Sequence, residues 1–122
     1  MEGIRLLLVD DEEEFVRALA ERLRLRDLEG RTALDGRQAL EFVAGEAPDV
    51  MILDLNMPGI DGMEVLRRVR RDYPAVRVII HTGHGNDLDE AEAWRLGVFD
   101  YLKKPVDIDY LVERIRAASG SD

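Results

Sequence analysis

Val50-Met51-Ile52-Leu53-Asp54-Leu55-Asn56-Met57-Pro58-Gly59 is the stretch from which the rest of the chain is read. Its opening apolar run, closed a few positions later by Pro and Gly, is too short for a helix and suits a strand buried on both faces. The run delivers one carboxylate, Asp54, to the point where strand gives way to turn. An ionised side chain there is costly unless a cation or hydrogen-bond donors meet it. Asn56 and Pro58-Gly59 already supply the turn chemistry, so Asp54 is not needed as a turn-former and reads as a residue to be presented.

Outward from that strand the pattern repeats. Ile4 to Val9 is apolar apart from Arg5 and ends at Asp10-Asp11. Glu12 to Leu25 follows with Val16, Leu19 and Leu23 at helical spacing. Leu28 to Leu34 is a weaker strand near an edge, and Asp35-Gly36 leads into a short helix carrying Ala39, Leu40 and Val43, closed by Gly45 and Pro48. After the central strand, Gly62 to Tyr73 forms a helix with Met63, Leu66, Val69 and Tyr73 on one stripe, stopped by Pro74. Val76 to Ile80 is a β-branched run ending at His81-Thr82-Gly83. Asn86 to Leu96 is helical with Leu88, Ala91 and Ala93 inward and Gly97 as its stop. Val98 to Leu102 is the last strand, followed by Lys103-Lys104-Pro105. Asp107 caps a final helix with Ile108, Leu111, Val112 and Ile115 on its stripe. Ser119 to Asp122 reads as a frayed end or the start of a linker.

Strand then helix, five times, calls for a parallel sheet covered on both faces within one domain, residues 1–122. Such sheets bind ligands beyond the carboxyl ends of their strands, where the strand order switches. The flavodoxin-like (βα)5 doubly wound order, 2-1-3-4-5, makes the first and third strands neighbours and brings Asp10 and Asp11 beside Asp54. The acids make it the economical choice.

Composition bounds the chemistry. The 122 residues contain 26 acids against 17 bases, for a net charge of -9. That balance argues against a nucleic-acid or anionic-membrane surface, which needs a basic field. With no cysteine, disulfides, thiolate zinc sites and cysteine nucleophiles are excluded. The N-terminus lacks the layout of a signal peptide and no apolar stretch is long enough for a bilayer, so the expected location is cytoplasmic.

The strand ends carry Asp10 and Asp11, then Asp54, then Thr82, then Lys104. Three carboxylates in one pocket repel one another unless a cation joins them. All-oxygen ligands suit a hard ion that keeps several waters, Mg²⁺ first and Mn²⁺ as its substitute. A hydroxyl and an ammonium opposite suit an anion, most simply a phosphoryl group shared among metal, Thr82 and Lys104. A central carboxylate can itself be the nucleophile, giving an aspartyl phosphate. Plainer uses exist. One of Asp10 and Asp11 is equally suited to cap the following helix, though capping does not account for both. His81 and His84 lack a third soft ligand and read as a partly buried strand histidine and an exposed loop histidine. Trp94 is core filler or a partner-facing aromatic, with the balance toward the second. Arg67, Arg68, Arg70 and Arg71 read as a solvated helix face.

Four stretches in this order and spacing resemble the receiver (response-regulator) domain of two-component signalling. They are Leu8-Val9-Asp10-Asp11-Glu12, Leu53 to Gly62, His81-Thr82-Gly83 and Asp100-Tyr101-Leu102-Lys103-Lys104-Pro105. The resemblance covers nearly the whole chain, and the run from Phe99 to Ile115 is most similar to receivers of the nitrogen-regulator and dicarboxylate-transport-regulator type. It implies that Asp54 is the phosphoacceptor, charged by a histidine kinase or phosphotransfer protein. Asp11, Asp54 and the Asn56 backbone carbonyl would ligate Mg²⁺, with Asp10 acting mainly through water. Thr82 and Tyr101 match paired switch positions, Lys104 the lysine that binds the phosphoryl oxygen, and Lys104-Pro105 a bond usually cis in the family. The implied output is a changed surface on the fourth helix, fifth strand and fifth helix, read by an output domain, a partner protein or a second copy. Two departures, His84 and the Gly83 that stands where alanine is frequent, bear on the lifetime of the phosphoryl group.

Two rivals remain. A haloacid-dehalogenase-like Mg²⁺-dependent phosphatase also uses an Asp nucleophile with Thr and Lys, but it wants a second Asp where this chain has Asn56. A receiver-like interaction module that is never phosphorylated has no use for the intact acid set. Steady turnover of phosphate esters would favour the first.

Overall fold

Parallel strands exchange every backbone hydrogen bond with a neighbour, so short apolar runs survive only side by side under a cover of helices. The computed structural model describes residues 3–120. The elements in order are β1 (Leu6–Val9), α1 (Glu13–Arg24), β2 (Gly30–Ala33), α2 (Gly36–Gly45), β3 (Val50–Leu53), α3 (Gly62–Asp72), β4 (Arg77–Thr82), α4 (Asp87–Arg95), β5 (Asp100–Lys103) and α5 (Ile108–Ser119). The sheet is parallel in the order β2-β1-β3-β4-β5, the order that the strand-end acids made the economical choice. β3 lies at its centre with all four residues buried, while β2 forms an edge and is mostly half-exposed.

Side-chain alternation divides the core. Leu7, Val9, Met51, Leu53, Val78 and Ile80 face α2, α3 and α4. Leu6, Leu8, Val50, Ile52 and Ile79 face α1 and α5. Local chemistry starts and stops the helices. Asp35, Asp61, Asn86 and Asp107 each accept a backbone N–H of the first turn. Gly97 and Gly120 follow α4 and α5 with positive φ. The Lys104-Pro105 bond is cis.

Several sequence expectations need correction. Leu88 is 80% exposed and Ala91 is exposed, leaving Ala93 as the buried residue of α4. At about 100° per residue Leu88 lies roughly 140° round the helix from Ala93, and only one narrow stripe of this short helix meets the sheet. On α3 the buried stripe includes Val65, while Met63 is half-buried and Tyr73 lies at the C-cap. Arg70 is no solvated side chain: its guanidinium donates to the carbonyls of Leu96, Pro74 and Val76, tying α3 to the segments flanking β4 and α4. Neither Asp10 nor Asp11 is the cap of α1, whose N-cap is Glu12 without a side-chain cap bond. Ser119 is the last residue of α5 rather than part of a frayed end, and Ser121 and Asp122 lie outside the described residues.

Candidate functional site

Register alone assembles the site. Val9 pairs with Leu53, so the next residues, Asp10 and Asp54, leave the sheet side by side. Their backbones are still tethered, Asp54 N–H to the Val9 carbonyl at 3.0 Å and Asp10 N–H to the Ala33 carbonyl at 3.1 Å. One strand further, Thr82 pairs with Lys103, and Lys104 N–H donates to the Thr82 carbonyl at 2.9 Å. Four chain segments far apart in sequence therefore converge at one edge of the sheet.

The carboxylates are oriented by their own turns. Asp10 Oδ1 accepts the Glu12 N–H at 3.0 Å, and Asp54 Oδ1 accepts the Asn56 N–H at 3.2 Å. Each such turn fixes one oxygen and leaves the other aimed at the cleft. Those outer oxygens meet the Lys104 ammonium, Asp10 Oδ2 at 2.8 Å and Asp54 Oδ2 at 3.6 Å, with Glu12 Oε1 at 3.9 Å. Burial of Lys104 works against its charge. The hydrogen bond that it donates to Asp10 and the charges of Asp10, Asp54 and Glu12 outweigh that, holding its pKa above the ordinary lysine value. Lys104 thus does, for these acids, part of what a metal would do.

One ligand atom each from Asp10, Asp11 and Asp54 lies within 4.8 Å of the others, a spacing one cation can span. Asp10 and Asp54 are buried and Asp11 is exposed. The donor set is all oxygen, without sulfur or imidazole, and fits a hard divalent ion. The residues open into a cleft of about 450 Å³ lined by Asp11, Asp54, Asn56, His84 and Lys104 among others.

Thr82 and Tyr101 sit deeper. Thr82 is 1% exposed and does not line the cleft, where Gly83 and His84 do. Its hydroxyl accepts the His84 N–H at 3.4 Å. Tyr101 is also buried, and its hydroxyl has no hydrogen-bond partner among the described residues. That ring position depends on Gly85, since a Cβ there would overlap the Tyr101 hydroxyl. Burial, then the charges of Asp89, Glu90 and Asp87, raise the Tyr101 pKa and keep the phenol neutral.

The sequence assigned no role to Phe15, and it expected His81 to be only partly buried. His81 is 5% exposed, on the sheet face toward α1, with its ring beside Phe15. Burial first and Lys104 second push its pKa down to about 4, against the smaller pull of Asp10 and Asp54. A histidine with a depressed folded pKa stabilises the fold in its neutral form. That contribution is complete above the unfolded value near 6.5 and is lost as pH falls toward 4. In the metal-free protein, His81→Met should therefore flatten the acid limb, recovering about 2 kcal/mol of the stability lost between pH 7.5 and 5. Urea unfolding at the two pH values measures this, and an unchanged acid limb would show that His81 titrates normally.

Comparison with known proteins gives the family and agrees with the fold. Residues 6–116 match the family model described as the response regulator receiver domain. The chain is 39% identical over 112 residues to the DNA-binding transcriptional regulator NtrC of Escherichia coli K12, covering 91% of this chain and 24% of that protein. It is 38% identical over 114 residues to the C4-dicarboxylate transport transcriptional regulatory protein DctD of Pseudomonas aeruginosa, covering 93% and 25%. The crystal structure of the receiver domain of NtrX from Brucella abortus superposes with a TM-score of 0.87 at 31% identity, covering 96% of this chain and 99% of that one. The chain spans about a quarter of the length of these curated regulators. No helix among the described residues is long and apolar enough to cross a membrane. With most of its length matched by that family model and by such relatives, this chain belongs to the response regulator receiver domain family, of the nitrogen-regulator and dicarboxylate-regulator type.

Proposed function

We propose that Asp54 accepts a phosphoryl group from a histidine kinase or phosphotransfer protein in the cytoplasm, and that the modification switches a partner surface. One observation carries the proposal: the Asp54 carboxylate faces an open cleft within 4.8 Å of two further carboxylates and 3.6 Å from an ammonium. Asp10, Asp11, Asp54 and the Asn56 carbonyl would hold Mg²⁺ (or Mn²⁺), which when bound offsets the carboxylate repulsion and orients the donor phosphate. A carboxylate oxygen of Asp54 attacks phosphorus in line. The bond from phosphorus to the donor breaks, and the leaving group keeps the electron pair. Lys104 transfers its contact from Asp10 and Asp54 to a phosphoryl oxygen, and the Thr82 hydroxyl turns from His84 N–H toward another.

The aspartyl phosphate carries about 1.5 to 2 negative charges in place of the single charge of Asp54, and it brings new acceptor oxygens to the ends of β4 and β5. Drawing Thr82 inward frees space next to Tyr101. The ring is already buried above Gly85, so phosphorylation would lock an arrangement that the resting protein samples. The surface affected spans α4, β5 and α5, where Leu88, Trp94 and Tyr110 are exposed. An output domain, a partner protein or a second copy that binds one arrangement better would complete the switch. DNA contact, if the full regulator makes any, falls to a part outside residues 1–122.

Mass spectrometry after incubation with acetyl phosphate and Mg²⁺ tests this. One phosphoryl adduct is expected, on the peptide containing Asp54, absent with EDTA and absent from Asp54→Asn. Sustained phosphate release without an adduct would favour a phosphatase, and no reaction would favour an unphosphorylated interaction module.

A further inference from the structure

Lys104 is held by more than carboxylates. Its Nζ stands 4.4 Å from the centroid of the Phe15 ring, and that ring lies 6.0 Å from the His81 imidazole. Phe15 projects from the first turn of α1 and remains 38% exposed. Its ring also walls an apolar cleft of about 220 Å³ with Leu19, His81, Pro105, Ile108 and Leu111, separate from the acidic cleft but sharing Lys104. The lysine therefore threads between two environments, its ammonium among acids and its flank against an aromatic face. The ring lies outside both core clusters, and the charge above it is the most specific contact it makes.

We propose that Phe15 is a positioning residue for Lys104, its ring face holding the ammonium over the acidic cleft with the His81 ring packed behind. The proposal rests on Lys104 being the group that receives a phosphoryl oxygen. Asp10 and Asp54 hold the ammonium only while they are free to do so. Once they share a divalent ion, their attraction for Lys104 weakens before the incoming phosphoryl oxygens replace it. The quadrupole of a phenyl ring neither titrates nor ligates that ion, so its attraction persists through the exchange. A half-desolvated contact of this kind should enrich the placed ammonium by about threefold to tenfold.

The test is a series at position 15. Leu keeps apolar bulk without a π face, Tyr and Trp restore the face, and phenylalanines with increasing ring fluorination weaken the quadrupole at nearly constant shape. In metal-free protein, NMR should show the Lys104 ε-methylene protons shifted upfield by the ring, retained with Tyr and Trp and lost in Phe15→Leu. With Mg²⁺ and acetyl phosphate, Phe15→Leu should phosphorylate about threefold to tenfold more slowly, and the fluorinated series should decline in order. An ε-methylene shift unchanged in Phe15→Leu overturns the proposal, as do equal rates for Phe15→Leu and Phe15→Tyr. A parent protein that takes up no phosphoryl group overturns the phosphoacceptor assignment instead, and the NMR arm then decides by itself whether the ring holds the ammonium.

Discussion

Lys104→Met should bind Mg²⁺ more tightly than the parent, on the order of tenfold, while accepting phosphoryl groups about a hundredfold more slowly. The opposite signs come from one geometry. In the metal-free protein the ammonium contacts Asp10 at 2.8 Å and Asp54 at 3.6 Å, repelling any cation that approaches the same oxygens. Removing it leaves two buried carboxylates facing each other, which costs metal-free stability about 3 kcal/mol and which a divalent ion restores. Reaction suffers because no charge remains to receive the phosphoryl oxygen opposite the metal side. Calorimetric titration with Mg²⁺, urea unfolding with and without Mg²⁺, and adduct formation from acetyl phosphate give the three readouts. Weaker Mg²⁺ binding in the variant would show that Lys104 supports the ion rather than competes with it.

Gly62→Ala should lose about 3 kcal/mol and slow phosphorylation of Asp54 as well. Gly62 opens α3, and its N–H donates to the Leu55 carbonyl at 3.2 Å. A methyl group there would press on Leu55 Cα and lie 2.5 Å from the Asp54 carbonyl oxygen. These are backbone atoms of the turn that aims the Asp54 carboxylate, so relief of the clash must move the site or the helix. Gly45, at the end of α2, is the control: no atom of the described residues lies within 4 Å of a Cβ built there, and Gly45→Ala should leave stability level or slightly higher. Denaturant midpoints compare the two, with an unchanged m-value required for the interpretation. Equal stability of the two variants would mean that the turn yields freely.

Much of the arrangement is legible along the chain because it depends on local chemistry. The β3 run is uniformly apolar and too short for a helix, and Asp35 and Asp107 sit one residue ahead of the helices they cap. Asp10, Asp11, Asp54, Thr82 and Lys104 could be singled out because each ends a strand, and a parallel sheet places all such ends on one edge. The helix faces were less legible where they were short or charged. Leu88 is apolar and at helical spacing, yet α4 turns it outward, and Arg70 resembles its exposed neighbours but ties three carbonyls together.

The amino-acid order by itself determined the number of strands, their parallel packing and the residues that end each strand, and it made one strand order the economical choice. Those features follow from hydrophobic period and turn chemistry, which act over a few residues. Only the tertiary structure decided that Lys104 already neutralises the acids, that His81 is buried and neutral beside it, that Phe15 faces its ammonium, and that Tyr101 rests in space left by Gly85. Each of these depends on the distance and desolvation of groups from different segments, quantities that exist only once the sheet has brought those segments together.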